Sequence, residues 1–333
     1  MKTLLVNKSE LDKAALILKN GGLVVFPTET VYGLGANAFD ANAIDGIYKA
    51  KGRPGDNPLI VHISEVDDVY NLAREIPQYS IELMKNFWPG PMTLIFKKKD
   101  CVIDRVTAGL DTVAVRLPSN EIARQLIKKS GVYVAAPSAN LSGSPSPTVI
   151  KHVIDDLDGR VDCIISGEEC EIGLESTVID VSGDYPVVLR PGAVTLEMLL
   201  EINPLTVMDK GLVSDDEKPK SPGMKYTHYS PKANVIVVCG TKQNRYEYIC
   251  KCLKDKLDCA VLTYGGGIYP DAQFVVDAGD NMKDYAKTLF YNLRLFDDKK
   301  IKTVYAEFDD DSGIGYAVKN RLFKSAGFNV VYV

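Results

Sequence analysis

Five short stretches of the sequence put hydroxyl, amide, guanidinium, ammonium and imidazole groups where apolar runs end. They are Thr28, Thr30 and Tyr32; Lys51, Arg53, Asn57 and His62; Thr112 and Arg116; Ser138, Asn140 and Ser146; and Ser176 and Arg190. Together they offer three arginines, a lysine, several hydroxyls and few competing carboxylates. That set suits a triphosphate lying beside a carboxylate, because a guanidinium meets either one in a two-point, charge-assisted contact. A lone arginine is more often a surface ion-pair partner. Arg116 and Arg190 argue against that, since each closes an apolar run, Val113-Ala114-Val115 and Val187-Val188-Leu189, shortly before a proline.

The elements needed to position these residues can be read from periodicity. Gly22 to Phe26 reads as a buried strand, Asp40 to Ala50 as a helix and Leu59 to Ile63 as a second strand, so the polar stretch 27–62 lies at element ends. Ser9 with Asp12 opens a helix that Asn20-Gly21-Gly22 stops. Glu65 to Arg74 and Pro77 to Trp88 read as helices, Met92 to Phe96 and Thr112 to Leu117 as strands, Asn120 to Lys129 as a helix and Val132 to Ala136 as a strand. The Ser- and Pro-rich run Pro137 to Thr148 is a loop whose hydroxyls and amides suit phosphate oxygens. The expected fold is therefore α/β: an N-terminal mixed, twisted sheet with helices around a central cleft (1–203), a long linker or lid (204–231), and a smaller C-terminal parallel, Rossmann-like α/β domain (232–333).

Composition narrows the function classes. With 333 residues, 46% hydrophobic and 25% charged, the chain has the make-up of an ordinary globular protein, and no apolar run approaches the roughly 20 residues of a membrane span. The early charges Lys8, Glu10, Asp12 and Lys13 leave no signal-peptide core, so a cytoplasmic location is expected. Seven cysteines and three histidines show no metal-ligand spacing and no disulfide framework. A net charge of −5 disfavours a whole-surface nucleic-acid binder, although Lys49, Lys51 and Arg53 form a local basic patch that would allow a weak RNA contact.

Several nucleotide motifs fail on context. Gly33-Leu34-Gly35 has the glycine spacing of a dinucleotide turn, but the strand it should follow ends near Phe26 and the expected ribose-binding acid falls in the turn Pro54-Gly55-Asp56. No phosphate-binding loop of the Gly-x-x-x-x-Gly-Lys-Ser/Thr type occurs, and Gly265-Gly266-Gly267 lacks the lysine and serine that would make it one. Ser138 sits in Ala-Pro-Ser-Ala-Asn, which is not a nucleophile elbow.

Read in order, Pro27-Thr28-Glu29-Thr30-Val31-Tyr32-Gly33-Leu34, Lys49-Ala50-Lys51-Gly52-Arg53-Pro54, Asn57-Pro58-Leu59, Trp88-Pro89-Gly90-Pro91-Met92-Thr93, Val115-Arg116-Leu117-Pro118, Pro137-Ser138-Ala139-Asn140, Ser176-Thr177-Val178 and Leu189-Arg190-Pro191-Gly192 resemble the threonylcarbamoyl-AMP synthase family over about the first 200 residues. Ser221-Pro222-Gly223-Met224 to His228-Tyr229 and the trailing α/β pattern resemble its long, two-domain form. The resemblance implies a nucleotidyltransferase that converts L-threonine, bicarbonate and ATP into threonylcarbamoyl-AMP and pyrophosphate. The product would pass to a complex that modifies transfer RNA. By the same resemblance Thr30, His62, Arg116, Ala136 and Ser176 would hold threonine, and Arg53, Asn57, Thr112, Ser138, Ser146 and Arg190 would hold ATP. Lys51, Arg53, Ser138 and Asn140 would lie at the reacting phosphate. Mg²⁺ is expected to be held mainly by ATP oxygens, because the cleft has few carboxylates. The composition of Ser221 to Pro231 suits a lid, and His228 or Tyr229 is expected to reach the bound nucleotide or threonine.

Overall fold

The computed structural model of the protein describes residues 2–209, 229–254 and 256–333, which form two compact units. The first unit is built on an eleven-stranded sheet. Its strands are β1 (Leu4–Val6), β2 (Val24–Phe26), β3 (Gly33–Asn37), β4 (Ile60–His62), β5 (Met92–Lys97), β6 (Thr112–Arg116), β7 (Val134–Ala135), β8 (Cys163–Ile165), β9 (Thr177–Asp180), β10 (Val187–Arg190) and β11 (Val207–Met208). They lie in the order β1-β8-β2-β3-β7-β4-β6-β5-β9-β10-β11, with parallel and antiparallel neighbours mixed as expected.

The two faces of this sheet are covered differently. One face packs Val61, Val115, Leu94 and Ile179 into a large core with helices Ala41–Lys51, Gln78–Phe87, Ile150–Leu157 and Leu196–Ile202. On the other face, helices Leu11–Lys19 and Glu121–Ser130 cover Val24, Phe26, Val134, Ala136, Cys163 and Ile165. Further along that same face, Ile60, Ile95, Ala114, Val178 and Leu189 form a separate small cluster to which no helix contributes among the described residues. Side chains two apart on a strand share a face, so this cluster is flanked by His62, Arg116, Thr93 and Ser176.

Capping fixes the helix that carries Lys51. Asp40 accepts hydrogen bonds from the Asn42 and Ala43 amides at 2.9 and 3.2 Å, and Gly52 closes the other end in the left-handed region at φ 64°.

Three sequence expectations change in the structure. Gly33–Asn37, to which the periodicity assigns no element, is a strand antiparallel to β2. Its glycines make room rather than a turn: a Cβ on Gly35 would sit 2.7 Å from Val134 Cγ1 and 2.8 Å from the Phe26 ring. The helix expected over 65–74 is a 3₁₀ turn, Val66–Asp68, followed by Val69–Leu72, because Asp68 turns back to accept from the Ser64 and Glu65 amides. The expected linker is shorter at both ends, since Val207–Met208 pairs with β10 and Tyr229 is buried.

The second unit is a five-stranded, wholly parallel sheet ordered β14-β13-β15-β12-β16, as the alternating pattern implied. Its strands are β12 (Asn234–Cys239), β13 (Cys259–Thr263), β14 (Phe274–Asp277), β15 (Thr303–Phe308) and β16 (Val330–Tyr332). The unit also takes in Gly143–Ser146 and Ile172–Leu174, which a contiguous boundary near 203 leaves out. Ser230 N–H donates to Gly143 O at 3.0 Å, and Arg294 Nε donates to Pro145 O at 3.0 Å. Gly173, at φ 80°, lies so close to the helix Met282–Asp298 that a Cβ would meet Lys287 O at 2.4 Å.

Candidate active site

The site grows out of β4 and β6, which run parallel with His62 opposite Arg116 and Ile60 opposite Ala114. Thr112 and Arg116 lie on one face at opposite ends of β6, about 13 Å apart for a strand rising ~3.3 Å per residue. Asn57 precedes β4 at the Thr112 end, whereas His62 closes β4 at the Arg116 end. Ile60 and Ala114 form the apolar floor between.

At the Arg116 end, one guanidinium Nη donates to Glu29 Oε1 at 2.6 Å, and both side chains are about 95% buried. Glu29 Oε2 and Arg116 Nε are buried as well, with no hydrogen-bond partner among the described residues. Thr30 is fully buried, its hydroxyl 2.9 Å from that of Thr28, which also accepts from the Thr30 and Val31 amides. His62 donates from Nδ1 to Ile60 O at 3.1 Å and meets Phe26 edge-on. Burial, reinforced by the Arg116 charge, pushes its pKa down to about 3, so the ring is neutral at physiological pH. Ser176 shares a 2.8 Å hydrogen bond with Thr93 and accepts from Arg190 through both its carbonyl and its hydroxyl, at 3.0 and 3.1 Å. Arg190 and Ser176, assigned by resemblance to different substrates, are thus in direct contact. Ala136 is buried alongside, its amide on Ile60 O.

The Lys51 corner is built from the Ser-Pro loop. The buried ammonium donates to the carbonyl oxygens of Ser138 and Asn140, and the Ser138 hydroxyl donates to Asn140 Oδ1 at 2.6 Å. Backbone bonds from Leu34 to Pro137, from Ala139 to Tyr32 and from Tyr32 to Pro147 tie this loop to β3. Arg53 follows the cap at Gly52 and is half-buried. Asn57 is fully buried, yet neither its Oδ1 nor its Nδ2 has a partner among the described residues, while its backbone carbonyl accepts from Tyr48. A buried, unsatisfied amide costs about 1–3 kcal/mol, which makes Asn57 a candidate ligand-binding residue.

Ser146, expected at the nucleotide, is buried and falls in the second unit. Tyr229 also belongs there, its ring stacked 5.0 Å from Phe290 with the Arg321 guanidinium over it, so it anchors the chain in that unit. His228 lies outside the described residues. The basic patch that would have met RNA breaks up, because Lys51 is buried on carbonyl oxygens while Lys49 stays exposed. No group of three or more His, Cys, Asp or Glu able to hold a metal occurs among the described residues. Glu29 and Thr93 were not singled out by sequence reasoning. The available signals were the position of Glu29 between two threonines and the alternation that puts Thr93 opposite Arg116.

Comparison with known proteins identifies a two-domain enzyme of a known class. A family model described as telomere recombination (Sua5, YciO and YrdC) matches residues 16–192, and one described as threonylcarbamoyl-AMP synthase, C-terminal domain, matches residues 194–327. The chain is 46% identical to a threonylcarbamoyl-AMP synthase of Bacillus subtilis, over 98% of this chain and 95% of that protein. It is also 46% identical to one from Pyrococcus abyssi, over 96% and 95%. A solved structure of P. abyssi Sua5 complexed with L-threonine superimposes over all of both chains at a TM-score of 0.94 and 43% identity. The chain belongs to the Sua5, YciO and YrdC family, in its two-domain form.

Proposed function

We propose that this enzyme converts L-threonine, bicarbonate and ATP into threonylcarbamoyl-AMP and pyrophosphate. The observation that carries the reading is the division of β4 and β6 into two ends. Asn57 and Thr112 lie at one end, Arg116, His62 and Glu29 at the other, with an apolar floor between, which suits a nucleotide and an amino acid laid end to end. The relatives' identity as threonylcarbamoyl-AMP synthases supports this reading, as does the threonine held by the P. abyssi protein.

The chemistry needs no protein nucleophile. The substrate ammonium gives up a proton to solvent and the resulting amine adds to the carbon of bicarbonate, R–NH₃⁺ + HCO₃⁻ giving R–NH–COO⁻ + H₂O + H⁺. A carbamate oxygen then attacks the α-phosphorus of ATP as the bond to pyrophosphate breaks. Catalysis then consists of positioning and of cations on developing charge. Arg116 takes the threonine carboxylate, neutral His62 and the Thr30 and Ser176 hydroxyls frame the side chain, and Asn57, Thr112, Arg53 and Arg190 take the nucleotide. Lys51, held by two carbonyl oxygens, fixes the Ser138–Asn140 turn beside the reacting phosphate. Mg²⁺ would enter with the nucleotide and would supply charge neutralisation there, since the nucleotide-binding candidates include no carboxylate to hold it separately.

The mixed anhydride formed is labile in water, so it is consumed by acyl transfer to an amine, which we assign to an adenosine of transfer RNA through a separate transfer complex in the cytoplasm. The test is pyrophosphate release with ATP, bicarbonate and each amino acid in turn. Release that requires L-threonine and bicarbonate is expected; release that ignores either one overturns the reading.

A further inference from the structure

The Arg116–Glu29 pair differs from an ordinary buried ion pair in being left half open. One contact joins Arg116 Nη to Glu29 Oε1 at 2.6 Å, while Arg116 Nε and Glu29 Oε2 are both buried and have no partner among the described residues. A counterion present only to neutralise Arg116 gains most when both oxygens are used, since a buried acceptor without a donor carries a desolvation cost with no return. What fits an open donor beside an open acceptor is a molecule with a carboxylate and an ammonium on adjacent atoms. Such a ligand would give each of these two protein atoms a hydrogen-bond partner.

We infer that Glu29 is a specificity-determining residue of the amino-acid subsite, accepting the substrate's α-ammonium through Oε2 while Arg116 takes the carboxylate. The inference rests on the amino-acid reading above. It adds that the subsite selects α-amino acids as zwitterions, through a residue between Thr28 and Thr30 whose carboxylate is already committed on one side. Thr30, fully buried next in the chain, is then placed to meet the substrate hydroxyl.

The test is a binding measurement without ATP, comparing L-threonine with 3-hydroxybutanoate, which keeps the carboxylate and hydroxyl but lacks the ammonium. The wild type is expected to prefer threonine by more than tenfold. Glu29→Gln is expected to weaken threonine on the order of tenfold to a hundredfold while moving 3-hydroxybutanoate by less than about threefold. ATP binding by the same variant serves as the check on folding. Equal weakening of both ligands would mean that Glu29 only supports Arg116, and an unchanged threonine affinity would mean that it makes no contact; either overturns the inference. If Glu29→Gln does not fold, the wild-type preference decides, and a ratio below tenfold overturns it. Failure of the function itself reads out separately, as wild-type protein that releases no threonine-dependent pyrophosphate.

Discussion

Each unit buries an arginine against a glutamate, and the two pairs are finished differently. In the second unit Glu307 lies near the carboxyl end of β15, beside the ends of β12 and β13. The chain leaves β12 and β15 in opposite directions there, the usual place for a ligand in a parallel sheet. Yet its oxygens are fully used: Oε1 accepts from Tyr269 and Arg245 at 2.9 and 3.4 Å, and Oε2 accepts from Thr263 and the Tyr264 amide at 2.6 and 3.0 Å. Arg245 completes its set on Gly240 O and Asp309. Burial beside Glu307 raises the Tyr269 and Tyr285 phenols well above their ordinary pKa, which keeps both protonated. In the first unit, Glu29, Arg116 and Asn57 are as deeply buried and each has an open valence. Burial of charge alone therefore does not separate scaffold from site. What sets the candidate site apart is that its unfilled hydrogen-bonding capacity is clustered around β4 and β6, whereas Arg124 Nε and Asn292 Nδ2, also buried and without a partner among the described residues, lie singly on helices.

This contrast can be broken experimentally. The largest effect belongs to the closed cluster: Glu307→Ala leaves the buried Tyr269 and Thr263 hydroxyls and the Tyr264 amide without their acceptor and removes one of the two carboxylates facing Arg245, and is expected to cost roughly 3–5 kcal/mol in denaturant unfolding. A loss under 1 kcal/mol would show that the cluster is not structural. Next, Arg116→Ala should reduce threonine-dependent pyrophosphate release by at least about a hundredfold, or roughly 2.7 kcal/mol; near-normal turnover would remove Arg116 as the carboxylate clamp. Asn57→Ala sharpens the comparison, because its amide stabilises nothing in the free protein. Its unfolding midpoint should hold or rise slightly while nucleotide affinity falls about tenfold, and a large stability loss would place Asn57 with the scaffold.

The remaining prediction concerns pH. His62 titrates near 3 in the folded chain and near 6.5 when unfolded, so between those values the unfolded state holds the extra proton. The stability it contributes is complete above about pH 6.5 and is lost as pH falls toward 3, at up to about 1.4 kcal/mol per pH unit. His62→Gln should flatten that slope, and an unchanged slope would show that another group controls it.

Much of the site was legible because chemistry at element ends leaves a compositional trace. Arg116 and Arg190 stand out against the apolar runs they close, and Lys51 follows a helix whose caps, Asp40 and Gly52, are plain in the sequence. The alternating C-terminal pattern likewise implied its parallel sheet. Glu29 was hidden because an acid beside threonines reads as solvent-facing until its partner, 87 residues away, is placed against it. Strand β3 was hidden for a related reason: Gly33-Leu34-Gly35-Ala36-Asn37 carries no β-branched residue, and its place in the sheet depends on the bulk of Phe26 and Val134 across from it. The return of Gly143–Ser146 and Ile172–Leu174 to the second unit is a property of tertiary packing that no linear boundary can express.

Those small residues of β3 set a tolerance as well as a path. Phe26 occupies the space that a side chain at Gly35 would claim, and its ring in turn borders His62 with centroids 6.0 Å apart. A single methyl at Gly35 would therefore act as a wedge. It would press on Phe26, and Phe26 on the imidazole, detuning the amino-acid end of the pocket from a position with no side chain to touch a substrate.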